Sequence, residues 1–148
     1  MRYMLNNSID GMLNLQQEIE YLQNYIEIYR LRFEESFFVD FKTTGDFNGK
    51  KIASLVLIPF VENAFKHGII NDAGRPVKIH ISVMGNQLSM VVRNKISLGQ
   101  KDSSSGIGLV NIKRRLELIY PEGFELLVSN NGETYKTTLN IRLSHNNI

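Results

Sequence analysis

The hydrophobic positions change period several times along the chain. Leu15, Ile19, Leu22, Ile26, Tyr29 and Phe33 follow one another at spacings of 4, 3, 4, 3 and 4, one continuous helical stripe. Tyr21, Tyr25 and Ile28 form a second apolar set beside it, and a helix apolar on more than one side must bury more than one side. One face fits the chain's own core; the other permits a further helix or a second copy in a homodimer. Plain core packing accounts for the pattern equally well. Phe37, Val39 and Phe41 then alternate with Phe38, Asp40 and Lys42, which predicts a strand. Residues 52–67 read as helix, starting irregularly near Pro59, with Leu57, Val61, Ala64 and Phe65 on the core side.

The second half is mostly period two. Val77, Ile79, Ile81 and Val83 alternate with Lys78, His80 and Ser82, Gly85-Asn86 predicts a hairpin turn, and Leu88, Met90 and Val92 share one face of the return strand. Residues 95–107 are polar, rich in Ser and Gly and aperiodic, so a mobile loop is expected. Leu109, Ile112, Leu116 and Ile119 make a helix stripe ended by Pro121. Phe124, Leu126 and Val128 form a strand, Asn131-Gly132 turns the chain, and Tyr135, Thr137, Leu139, Ile141 and Leu143 form the last strand. No repeat occurs, and βαβ alternation is irregular. The expected class is α+β: a two-layer sandwich with one mixed, mostly antiparallel sheet covered by helices on one face.

Composition narrows this little. The chain has 148 residues, no cysteine and a formal net charge of +2, so disulfide and thiolate chemistry are excluded and no nucleic-acid partner is called for. The longest apolar run, residues 53–61, is interrupted by Ser54 and Pro59 and is far short of the ~20 residues of a spanning helix. Residues 1–7 already read as helix, as in a piece of a longer protein.

Chemistry concentrates at four polar residues of one short helix. Glu62 and Lys66 are i,i+4, as are Asn63 and His67, so both pairs project from one side, next to the apolar stripe. A solvated face with an ordinary Glu–Lys pair is the plain account. Asn94 changes the balance, because it continues the inward series Leu88, Met90, Val92. An inward amide needs partners, since leaving it unsatisfied costs about 1–3 kcal/mol. A water, a loop or a purine edge would serve. Thr137 is the one polar member of its own inward series. Finally, Ser105-Gly106-Ile107-Gly108-Leu109 lets backbone N–H groups approach an anion ahead of a helix N-terminus. Such glycines also occur for geometry alone. Lys113, Arg114 and Arg115, beside Glu117, read as a solvated helix face.

These segments resemble a known family. Pro59-Phe60-Val61-Glu62-Asn63-Ala64-Phe65-Lys66-His67-Gly68 is similar to the N box of the GHKL ATPases in its histidine-kinase form, and Gly106-Ile107-Gly108-Leu109-Val110-Asn111 to their second glycine box. Residues 111–120 and 25–33 resemble the LytS-like or YehU-like subfamily, and Arg2-Tyr3-Met4 the end of its dimerisation helix. The resemblance implies the Bergerat fold, with ATP between helices and sheet under a flexible lid. It implies Asn63 as the Mg²⁺ ligand, Lys66 and His67 facing the phosphates, and Glu62 holding or activating the attacking histidine. Asn94 would meet the adenine, Thr137 would lie on the pocket floor, and Gly106, Ile107, Gly108 and Leu109 would form the lid hinge. The cofactors would be ATP and Mg²⁺. Residues 1–35 would be the tail of the dimerisation region and linker, and residues 36–148 the catalytic domain. Partners would be dimerisation and phosphoacceptor helices and, through the full-length protein, a cognate response regulator. The domain would be cytoplasmic, on a membrane-anchored protein.

Two departures stand out. The family's first glycine box, Asp-x-Gly-x-Gly, is replaced by Asn94-Lys95-Ile96-Ser97, which keeps an acceptor oxygen but loses its charge. And His67, His80 and His145 all lie outside an N-terminal helix, so the chain reads as the phosphoryl donor without its acceptor. A degenerate interaction module and another GHKL ATPase, such as an anti-sigma-type kinase, are the competing readings.

Overall fold

The computed structural model describes residues 12–96 and 103–145. A short strand β1, Met12–Asn14, leads into helix α1, Leu15–Phe33. Strands β2, Val39–Gly45, and β3, Lys50–Ala53, precede helix α2, Ile58–His67. Strands β4, Val77–Met84, and β5, Gln87–Lys95, form the expected hairpin. Helix α3, Ser103–Ile119, is followed by β6, Phe124–Asn130, β7, Thr134–Arg142, and β8, Ser144–His145.

Five strands form the main sheet in the order β2-β4-β5-β7-β6, parallel only between β2 and β4. One face is a continuous apolar floor. Phe41, Ile79, Val92, Thr137 and Val128 stand in one cross-strand row, and Ile81, Met90, Leu139 and Leu126 in the next. The helices cover this face: Leu15, Ile19, Leu22 and Ile26 of α1, Phe60, Val61, Ala64 and Phe65 of α2, and Leu116 of α3 join the same buried cluster. The expected α+β sandwich with helices on one face is therefore observed. Among the described residues no helix is long and apolar enough to cross a membrane.

The structure corrects three expectations. Residues 52–67 are not one helix: Ile52 and Ala53 pair with Leu13 and Met12 in a small sheet, β1-β3-β8, and helix begins only at Ile58. The buried strand run was read as helix because both are simply apolar over so short a length. The N-terminal third is not helical throughout, since Met12–Asn14 is that partner strand. And α3 starts at Ser103, so Gly106, Ile107 and Gly108 lie within helix rather than in a turn. Serine favours helix starts, and first-turn N–H groups have no intrahelical partner to lose, so glycine weakens that end least. The helix expected at residues 1–7 lies outside the described residues.

What joins the small sheet to α2 is an irregular, partly buried turn, residues 54–57. Its backbone polar groups, and those of Ala53 before it, must find partners away from water, and three side chains supply them. Glu18, fully buried on α1, accepts from the Leu55 and Leu57 N–H groups, each at 3.1 Å. Arg115 of α3 donates to the Ser54 and Leu55 carbonyls at 2.6 and 3.0 Å. The Tyr120 hydroxyl accepts from the Ala53 N–H at 2.9 Å. Leu55 itself has φ +59°, a left-handed conformation that costs a side-chain-bearing residue about 1–2 kcal/mol. The tertiary bonds hold it there.

Glu18→Ala leaves two buried N–H groups without acceptors, and urea unfolding should show a loss of about 2–5 kcal/mol. Burial also raises the Glu18 carboxyl above its ordinary range, against the lowering effect of the Leu57 and Leu55 N–H groups and of Arg115. The native chain then keeps this proton to higher pH than the unfolded chain. Its contribution to stability is fully present below the ordinary value of about 4.3 and falls as pH rises through the native value. Unfolding of wild type and Glu18→Gln across pH checks this: the wild-type stability minus that of the variant should decrease with rising pH and then level off.

Candidate nucleotide site

Helix α2 carries the four polar residues singled out above. Lys66 is exposed, while Glu62, Asn63 and His67 are half-buried, on the flank of a helix whose opposite side is core. The pattern is the cause: Phe60, Val61, Ala64 and Phe65 occupy the buried stripe and leave 62, 63, 66 and 67 on the other. Lys66 and His67 fall in the last turn, where positive charge suits the helix dipole.

Three contacts fix this helix. Its start follows the turn held by Glu18 and Arg115. Its middle is stacked on α1: the Phe65 ring lies 4.8 Å from Tyr29 and 6.0 Å from Tyr25, and Phe37 meets Phe65 edge-on at 5.2 Å. Burial pushes the Tyr25 hydroxyl up, and the hydrogen bond with Tyr29 and the charges of Tyr29 and Glu62 add to it.

The third contact is at the helix end. The Gly68 N–H closes on the Ala64 carbonyl at 2.8 Å, and the Ile69 N–H bonds the Lys95 carbonyl at 2.8 Å, joining the chain to the end of β5. Gly68 packs so closely on Asn94 that a Cβ there would stand 2.6 Å from the amide nitrogen and 2.5 Å from the Ala64 carbonyl oxygen. This explains the glycine by contact, not by φ. Asn94 is buried and points inward as expected; its Nδ2 donates to the Lys95 carbonyl at 3.3 Å. Thr137 is buried too, one register step away on β7, where Asn94 faces Tyr135 and Val92 faces Thr137. Burial raises the Tyr135 phenol, opposed by a hydrogen bond from Thr137. No buried side-chain polar atom among the described residues lacks a partner, so Asn94 and Thr137 are not orphans awaiting a ligand.

The loop after α2 is tied to the same corner. Lys95 bonds Asp72 at 2.8 Å and lowers its carboxyl pKa, and Arg75 donates to Thr134 at 3.0 Å. Asn94 borders a cavity of about 280 Å³ with Gly74, Arg75, Lys95 and Thr134. Leu109 packs partly into the core, whereas the side chain of Ile107 lies outside the described residues, as do the environments of Gly106 and Gly108.

The structure thus brings Gly68, at the end of α2, against Asn94, with Thr137 one register step away on β7. Elsewhere, His80 lies on the open face of the sheet, bonded to Thr44 at 2.9 Å, and borders a groove of about 440 Å³ with Lys42, Lys78, Arg93 and Lys136. None of the sequence-predicted site residues lines that groove. Among the described residues no group of three or more His, Asp or Glu is arranged to hold a metal ion.

Sequence reading missed the residues that position α2. Glu18 falls at i+3 from Leu15 and i−4 from Leu22, squarely on the buried stripe, and Arg115, though exposed, shares the spacing of Ile112 and Ile119. Those phases were the available signals. Arg115 is correspondingly not part of a merely solvated basic face.

Comparison with known proteins agrees. A family model described as histidine kinase matches residues 1–37. The chain is 29% identical over 137 residues to sensor histidine kinase YpdA of Escherichia coli, covering 85% of this chain and 24% of that protein. It is 27% identical over 146 residues to sensor protein LytS of Oceanobacillus iheyensis, covering 88% and 25%. It therefore spans about a quarter of the length of these curated relatives. Among solved structures, the catalytic domain of histidine kinase ThkA superposes with a TM-score of 0.61 at 17% identity, covering 88% of this chain and 94% of that one. Histidine kinase AdeS of Acinetobacter baumannii gives 0.56 at 13% identity, covering 84% and 64%. The chain is accordingly similar in sequence to sensor histidine kinases and shares the fold of histidine kinase catalytic domains.

Proposed function

We propose that this chain is the ATP-binding catalytic domain of a two-component sensor histidine kinase. Residues 1–35 lead from a dimerisation region and residues 36–148 form the catalytic unit. The observation that supports the reading is the close packing of Gly68, at the end of the helix that carries Asn63, Lys66 and His67, on the buried amide of Asn94. That is the arrangement a nucleotide needs: an acceptor for its base and a helix flank for its phosphates.

A magnesium ion suits this donor set. With no protein cage among the described residues, it would take the Asn63 amide oxygen and draw its other ligands from phosphate and water, as Mg²⁺ prefers. Bound there, it supplies charge neutralisation on the phosphates. The protein's part is positioning. Lys66 and His67 orient the phosphates. Glu62 receives or orients the proton of the attacking imidazole. The ring nitrogen of a histidine outside this chain bonds the γ-phosphorus as the bridging β–γ bond breaks, leaving ADP. Gly106, Ile107, Gly108 and Leu109 form the lid over the phosphates, and Thr137 supports the adenine side with Asn94. The support for an Asn in place of the family's Asp is that an amide oxygen still accepts from an adenine amino group. The whole protein would be membrane-anchored with this domain in the cytoplasm. It would pass its phosphoryl group to a response regulator, in keeping with a solved complex of ThkA with response regulator TrrA.

The chain has no tryptophan, so a fluorescent ATP analogue reads binding cleanly. Mg²⁺-dependent binding is expected, and Asn63→Ala should weaken it by about 10–100-fold. Absence of such binding at millimolar nucleotide, or indifference to Asn63→Ala, contradicts the proposal. Transfer of label from ATP to a separately made acceptor helix separates a kinase from a degenerate interaction module. Gly68→Ala should lower stability by about 1–3 kcal/mol and weaken nucleotide binding, because the Ala64 carbonyl cannot yield cheaply. Gly74→Ala is the control, since its methyl meets only Asp72 Oδ1 at 3.4 Å.

A further inference from the structure

Helix α2 has no side-chain N-cap of its own; Leu57 occupies the cap position and Pro59 the first turn. Pro59 marks where the helix starts, but no side chain of its own caps that end. The turn before it is held from two other helices: by Glu18 of α1 from one side and by Arg115 of α3 from the other. The left-handed Leu55 sits between them. A side-chain-bearing residue persists in such a conformation only where its surroundings over-determine it, and such outliers cluster at functional sites.

We propose that Glu18 and Arg115 are positioning residues for the nucleotide site, setting the start of α2, and with it Glu62 and Asn63, while tying α3 to that setting. The inference rests on the nucleotide-site reading of α2. From Leu57 to Asn63 is under two helical turns, so a displacement of the turn passes along a rigid rod to both side chains. Arg115 belongs to the same helix as Gly106 and Gly108. Any shift of α3 on nucleotide binding is then felt at the Ser54 and Leu55 carbonyls. By reciprocity, loosening the turn must weaken nucleotide binding to the extent that binding tightens the turn. The planar guanidinium fork spans two successive carbonyls; a lysine ammonium keeps the charge but not that fixed fork, so Arg115→Lys is a graded test.

The experiment uses the full 148-residue chain as wild type, Glu18→Gln, Arg115→Lys and Arg115→Ala, with the exposed neighbour Arg114→Ala as control. Fluorescent ATP analogue with Mg²⁺ gives affinity, and amide hydrogen exchange at residues 55 and 57 reads the turn. In wild type, nucleotide should slow that exchange. Arg115→Ala should speed it and weaken affinity by about tenfold, with Arg115→Lys in between, Glu18→Gln weakened in the same sense and Arg114→Ala like wild type. If Arg115→Ala does not fold, Arg115→Lys carries the comparison. Faster exchange in Arg115→Ala and Glu18→Gln with unchanged affinity of the folded chains would make the clamp purely structural and overturn the inference. If wild type binds no nucleotide, the reading of α2 fails as well, an outcome distinct from equal binding by wild type and variants.

Discussion

A buried carboxylate organises this molecule. Glu18 has no contact with water, yet its two oxygens are committed to backbone N–H groups of a turn distant in sequence. An unpaired charge at that depth would be strongly destabilising, and so would the unpaired N–H groups without it. Each requires the other. Arg115 of α3 and Tyr120 just beyond its end add to the arrangement, so the irregular backbone between the small sheet and α2 is held by side chains from both sides. The nearby start of α2 favours negative charge as well, since the positive end of its dipole points that way. Burial still outweighs these effects on the carboxyl, whose affinity for its proton is raised.

The remainder of the site follows from where this turn sends the chain. Helix α2 leaves it with one stripe packed into the core and the other holding Glu62, Asn63, Lys66 and His67. The stack of Tyr25, Tyr29, Phe37 and Phe65 sets its distance from α1, and the Gly68–Asn94 contact sets its distance from β5. A polar start, an aromatic middle and a glycine end thus fix one short helix at three points. Asn94 meets the far end at Gly68, and Thr137 lies one register step along β7 from it.

Much of this was legible in the sequence, for particular reasons. The β4–β5 and β6–β7 hairpins could be read because each pairs clean alternation with a turn at Gly85-Asn86 or Asn131-Gly132. The four polar residues of α2 stood out by helical spacing, and Asn94 by breaking an apolar series. The small sheet was not legible, since Ile52 and Ala53 are apolar without alternating and their partners are only three residues long. Nor was the helical start of α3, where three serines and two glycines look like loop until the helix beyond them is in place. Glu18 was hidden by its own charge: a glutamate in a helix reads as surface unless its phase is checked against the leucines around it.

Titration of the isotope-labelled chain with MgATP, followed by amide chemical shifts, tests the central claim most directly. The account predicts shifts concentrated at residues 62–68, at Asn94, and in the turn 54–57 that sets α2. Shifts confined to the basic groove around Lys78, Arg93 and Lys136 on the open face of the sheet, or none at all, would contradict it.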